Sequence, residues 1–188
     1  MQYLPRTPHG RHRTDASRPL GFSLIELMVT IAIAVVLMVV AVPSFVEFQR
    51  NAHLSDAVSN FLAAANAAKA NAMKRGLNTY VVPNTAGTGW SSGWMVYTDT
   101  NWNQSFDAGT DEVVIRHEAL SSDITVTTPT ASSLADGYLL FNGSGYPRLT
   151  SGGFGGGTLV MQNASRSSKI IIDPAGRIRS CKVGTTGC

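Results

Sequence analysis

Gly21-Phe22-Ser23-Leu24-Ile25-Glu26-Leu27 opens the run GFSLIELMVTIAIAVVLMVVAV, which occupies residues 21–42. From Phe22 to Val42 it contains 21 residues and a single charge, Glu26. At about 1.5 Å per residue a helix of that length measures roughly 32 Å, enough to cross a bilayer core of about 30 Å. Arg6, Arg11, Arg13 and Arg18 precede it, and positive charge holds that side in the cytoplasm. Everything after Pro43 is then expected in the periplasm or beyond. A secretory signal peptide has an apolar region of about 7–15 residues with no acid inside it, so this run is too long for one. A plain anchor gains nothing from a carboxylate, whose burial in lipid costs about 2.5–3.5 kcal/mol. Glu26 needs a partner, which makes it a functional candidate.

Outward from this run the pattern stays helical. Phe45, Phe48, Ala52, Val58, Phe61, Ala65, Ala68 and Ala72 recur at steps of three or four, with occasional skips, leaving Arg50, Asp56, Asn60 and Lys74 elsewhere. That stripe is expected to pack under a sheet. Lys74 and Arg75 suit the last turn and Gly76 the position just beyond it. One helix is therefore predicted over residues 22–75.

Beyond Gly76 the period changes to short runs rich in β-branched and aromatic residues, separated by Gly, Pro, Asn and Asp. Strands are predicted at 77–82, 94–98, 113–118, 124–128, 138–142, 158–162, 169–172 and 177–181. A long helix followed by an antiparallel β module is an α+β arrangement. The stretch SGGFGGG at 151–157 reads as a flexible loop or tight bulge.

Charge is unevenly spread. The chain carries +3 overall, and its first 21 residues alone account for it. Of the remainder, residues 76–136 hold seven acids against Arg116, whereas from Arg148 onward six basic residues face only Asp173. A basic C-terminal end on an acidic module is a local signal.

Few residues support catalysis or metal binding. Cys181 and Cys188 suit neither a redox Cys-x-x-Cys pair nor a zinc site. A short disulfide in an oxidising compartment is expected of them, against two free thiols. The loop from Asp99 through Asn101 and Asn103 to Asp107 repeats oxygen donors at alternate positions. An EF-hand needs Gly at its sixth position and Glu at its twelfth, and Gln104 and Thr110 stand there. A polar connection is the plainer reading. Ser144 fails the Gly-x-Ser-x-Gly pattern at both outer positions. His53 and His117 belong to no metal-spaced cluster, and the glycine-rich loop is not followed by a helix as a phosphate cradle requires. Trp90, Trp94 and Trp102 read as core or loop anchors. No enzyme activity, metal or cofactor is expected.

The segment from Ser168 to Cys181 reads as a hairpin, with Asp173-Pro174-Ala175-Gly176 as a type I turn. On a strand, Arg177 and Arg179 point to one side about 6.6 Å apart, while Ile178 points to the core. Arg148, Arg166, Lys169 and Lys182 are candidates to extend the patch. On these residues alone, the arginines either guard a sheet edge against aggregation or bind an anionic partner.

Residues Gly21 to Leu27 closely resemble the leader signal of type IV pilins and pseudopilins. The resemblance implies cleavage by a prepilin peptidase between Gly21 and Phe22, N-methylation of Phe22, and Glu26 pairing with the new amine of a neighbouring subunit. It implies a leader at 1–21, a transmembrane and filament-core helix at 22–42, an amphipathic continuation at 43–75 and a β-rich head at 76–188. The pieces Gly93-Trp94-Met95-Val96-Tyr97-Thr98-Asp99, Asp111 to Arg116 and Ile172 to Arg179 resemble the FimT/GspH-like group within that superfamily. In FimT-type minor pilins a C-terminal Gly-Arg-x-Arg motif is associated with DNA binding, and Gly176-Arg177-Ile178-Arg179 fits it. The function implied by the resemblance is that of a minor pilin that binds DNA without sequence specificity and assists uptake in natural transformation. Such binding is phosphate-led and salt-sensitive, and without an aromatic platform no strict preference for single strands is expected. The alternative is a structural pseudopilin of type II secretion, or a pilus-priming subunit, with pilin partners and no DNA. Either way the protein is expected to pass once through the inner membrane, head in the periplasm, before entering a pilus or pseudopilus.

Overall fold

Ser23 starts the helix. Its side-chain Oγ accepts the backbone N–H of Glu26 at 3.2 Å, the N-terminal half of a capping box, and Glu26 lies in the first turn, where the helix dipole favours a carboxylate. The resulting helix α1 runs Leu24–Arg75, 52 residues with Pro43 inside it. The computed structural model describes residues 21–85, 87, 89–129, 132–186 and 188; the leader arginines lie outside the described residues. The chain divides into two units, Met1–Val42 and Pro43–Cys188. In the first, α1 is exposed along its length and is long and apolar enough to cross a membrane.

In the second unit α1 ends where Gly76 N–H donates to Ala72 O at 2.8 Å. Arg75 ties that end to Glu112 at 2.5 Å. The strands are β1 (Thr79–Pro83), β2 (Trp94–Thr98), β3 (Glu112–His117), β4 (Thr125–Thr127), β5 (Leu139–Phe141), β6 (Pro147–Arg148), β7 (Gly157–Gln162), β8 (Ser167–Ile172) and β9 (Ile178–Lys182). All eight predicted strands are present within one or two residues. The two-residue β6 was not anticipated, because a proline argues against a strand except at an edge, and β6 is an edge. The strands form two antiparallel sheets, ordered β3-β2-β1-β5-β6 and β4-β7-β8-β9.

Alternation along the strands sorts the core into two layers. Val81, Trp94, Val96, Leu139 and Phe141 share a cluster with α1 and with Leu159, Met161, Ile170 and Ile172 of the second sheet. The intervening Tyr80, Met95, Tyr97 and Leu140 form a smaller cluster under Phe106 and Tyr138. Phe61 is fully buried and meets Trp90 and Trp94 edge-on, with ring centroids 5.3 and 5.1 Å apart. Each such pair contributes about 0.5–1.5 kcal/mol beyond its buried area. The alanines at 57, 64, 65, 68 and 72 are all buried, so their small side chains set the helix close against the sheets.

The packing stripe differs from the predicted one. Leu54, Ala57 and Ala64 belong to it, whereas Phe45 and Phe48 are 59% and 67% exposed. The reason is reach: the turn between β7 and β8 meets α1 at Arg50 and Asn51, where Asn163 Nδ2 donates to Arg50 O at 2.9 Å. The two phenylalanines precede that contact.

Candidate functional site

The hairpin β8–β9 turns through residues 173–177. Gly176 N–H donates to Asp173 O at 2.8 Å, and Asp173 N–H to Arg177 O at 3.0 Å. Gly176 takes the left-handed conformation at φ 78°, which completes a tight turn with Pro174 at its second position. A Cβ at Gly176 would lie 2.6 Å from Gly145 O, and Lys69 of α1 donates its Nζ proton to Gly176 O at 2.7 Å. The tip is therefore clamped between the helix and the β5–β6 turn. Gly176 is buried and Arg177 beside it is exposed. Lys69 did not emerge from the sequence, because a lysine between Ala68 and Ala72 reads as a solvated helix residue.

The register places the remaining candidates. Ile172 pairs with Ile178, Ile171 with Arg179, Lys169 with Cys181 and Ser168 with Lys182. Ile178 packs against the core, so Arg179, Ile171 and Lys169 share the outer face of the second sheet, with Arg177 beside them at the tip. Lys182 alternates to the other side. Arg166 sits in the β7–β8 turn, where Asn163 N–H donates to its carbonyl at 2.9 Å. That is the far end of the hairpin, about 23 Å from the start of the tip turn at roughly 3.3 Å per residue.

Arg148, on the edge of the other sheet, joins the tip through its neighbour: Pro147 Cδ lies 3.5 Å from the Cβ position of Gly176. Its guanidinium stands over the Phe154 ring, 4.7 Å from the centroid. The glycine-rich loop links the sheets there as a tight connection. Gly155 N–H donates to Pro147 O at 2.9 Å, and a Cβ on Gly156 would lie 2.4 Å from Ile172 O. Of the seven DNA candidates, Gly176, Arg177, Arg179 and Lys169 come together, Arg148 adjoins them, and Arg166 and Lys182 do not.

Cys181 and Cys188 are disulfide-bonded with Cα atoms 5.7 Å apart, closing a short loop directly after β9. In the acidic loop, the carboxylates are engaged by the chain itself. Asp99 accepts the N–H groups of Asn103 and Gln104, and Asp111 those of Thr100 and Asp107. Among the described residues, no group of three or more His, Cys, Asp or Glu is placed to hold a metal ion. Trp90 and Trp94 are buried, and Trp102 is exposed. His117 stacks on Trp94 at 4.2 Å, and His53 meets Asp123 at 3.3 Å. The Asp123 carboxyl is held below the usual range, first by a hydrogen bond with Ser121 and then by His53.

The family described as Type II transport protein GspH matches residues 57–176, more than half of the chain, and the prokaryotic N-terminal methylation motif matches residues 17–42. Among solved structures, the type IV minor pilin FimU of Pseudomonas aeruginosa strain PAO1 is similar in two crystal forms. Both have a TM-score of 0.52 and 15% identity, covering 70% and 68% of this chain and 90% and 91% of that one. At that identity the likeness concerns the fold alone. No curated protein sequence matches. With the methylation motif at its apolar helix and the GspH match across its head, the chain belongs to the GspH family, as a minor type IV pilin or pseudopilin.

Proposed function

We propose that this protein is a minor type IV pilin whose head binds extracellular DNA without sequence specificity, assisting uptake in natural transformation. The observation that carries the reading is the clamped hairpin tip. Gly176 is fixed by Gly145 and Lys69, so exposed Arg177 projects from a rigid support that limits the entropy lost on binding, with half-buried Arg179 beside it. The contact is phosphate-led, with Lys169 and Arg148 nearest to reinforce it. Leader cleavage after Gly21 by a prepilin peptidase, methylation of Phe22 and pairing of Glu26 with a neighbouring subunit place the head on the filament. Before assembly the protein passes once through the inner membrane. Members of this family are structural, and no enzymatic step is part of the proposal. The test is a DNA-shift titration of the full chain in detergent beside Arg177→Gln/Arg179→Gln. A shift in wild type and its loss in the double variant support the reading; equal shifts in both sink it.

A second reading is favoured by the family match itself, whose name is that of a type II transport protein. There the protein is a pseudopilin or pilus-priming subunit, the basic tip meets another pilin, and no DNA shift is seen with either form.

A further inference from the structure

A groove of about 370 Å³ runs between the glycine-rich loop and the outer face of the second sheet, lined by Phe154, Gly156, Thr158, Ile171 and Pro174 among others. Its size falls at the small end of the range for ligand sites. Thr158, Ile171 and Arg179 form one cross-strand row on β7, β8 and β9, so Arg179 flanks the floor on one side. Arg148 flanks the other, its guanidinium over Phe154, and Pro174 continues the groove into the tip that presents Arg177. Phe154 is 64% exposed, so its ring is open to a partner from solvent. Tyr146, 45% exposed, follows the Gly145 carbonyl that abuts Gly176. The tip is thus bracketed by two exposed aromatic rings and three arginines. The tryptophans, on which the expectation of no strand preference rested, lie elsewhere in the head.

We infer that this groove accepts an unstacked nucleobase against Phe154 while Arg148, Arg177 and Arg179 hold the flanking phosphates, so that the protein binds unpaired DNA more tightly than duplex. The inference rests on the DNA-binding reading above. Duplex bases are stacked on one another and offer only phosphates to such a surface, whereas an unpaired base presents a π-face that an aromatic side chain can cover. The paired placement of guanidiniums about an apolar floor is complementary to an aromatic base between two negative phosphates. It is not complementary to an uncharged apolar segment.

The experiment compares full-length protein in detergent with Phe154→Ala and Phe154→Trp. The probes are a labelled poly-dT strand and a labelled duplex of equal length, at one fixed salt concentration. Wild type is expected to bind the single strand at least about five-fold more tightly than the duplex. Phe154→Ala should weaken single-strand binding by about five- to a hundred-fold, the span of one base–aromatic stack, and weaken duplex binding by much less, through the freed Arg148 alone. Phe154→Trp should retain the preference. Equal affinity for the two probes, or an equal loss on both in Phe154→Ala, overturns the stacking role while leaving DNA binding standing. Failure of wild type to bind either probe overturns both. Loss of filament incorporation in Phe154→Ala with unchanged single-strand affinity makes the groove a pilin contact and overturns the inference.

Discussion

Replacing Gly176 by alanine isolates the clamp at the hairpin tip. The residue sits at φ 78°, where an L-side chain costs about 1–2 kcal/mol. The added Cβ would stand 2.6 Å from Gly145 O, so either the tip or the β5–β6 turn must move. Movement there stretches the Lys69–Gly176 bond of 2.7 Å, and leaving a part-buried partner unsatisfied costs about 1–3 kcal/mol. The combined loss is about 2–5 kcal/mol, set against a typical domain stability of about 5–15 kcal/mol. For a chain of this size each kcal/mol lowers Tm by about 2–4 °C, so the melt should move down by roughly 5–20 °C. Gly109→Ala is the matched control: Gly109 has φ 90° with nothing within 4 Å of its Cβ position, leaving only the conformational cost of about 1–2 kcal/mol. Near-UV circular dichroism melts of the detergent-solubilised chain read both variants. A Gly176→Ala loss no larger than that of Gly109→Ala refutes the clamp, and with it the rigid presentation of Arg177.

Three further outcomes are expected. Burial, reinforced by the Asp99 charge, pushes the Tyr80 hydroxyl up to about 12, and burial also raises Tyr97; a raised phenol gives stability that is full below pH ~10 and declines as pH rises through 10–12. Urea melts across that range should show the decline, and Tyr80→Phe should lessen it, leaving the part that Tyr97 contributes; a flat wild-type profile contradicts the account. Reduction of Cys181–Cys188 should cost at most about 2.5 kcal/mol for so short a loop and open the tail alone, so limited proteolysis that spreads beyond β9 would show a larger role. Glu26→Ala should insert into membranes normally, because Ser23 Oγ still accepts the residue 26 backbone N–H, yet enter filaments poorly; normal incorporation on filament blots removes the proposed pairing.

The long helix and the strand-rich head were legible because each depends on local periodicity, and the hairpin because Asp173-Pro174-Ala175-Gly176 states its own turn. The division into two sheets was not, since β1 pairs with β5 across three intervening strands and nothing local records such a partner. Phe45 and Phe48 continue the apolar period of α1 without meeting the sheets, because periodicity cannot tell where a facing surface stops. The arginines of the tip were named from the sequence. Their supports were not: Lys69 lies 107 residues from the carbonyl it holds, and Phe154 gains its neighbours only when the glycine-rich loop brings the two sheets together.

Binding of DNA through the tip is tested most directly by the salt dependence of affinity. For duplex DNA the log–log slope changes by about 0.9 for each phosphate contact. Arg177→Gln/Arg179→Gln should therefore flatten the wild-type slope by about 1.8 while weakening binding at every salt concentration. An unchanged slope in the double variant, or a wild-type affinity indifferent to salt, would contradict the account and return the basic tip to the role of a protein contact within the filament.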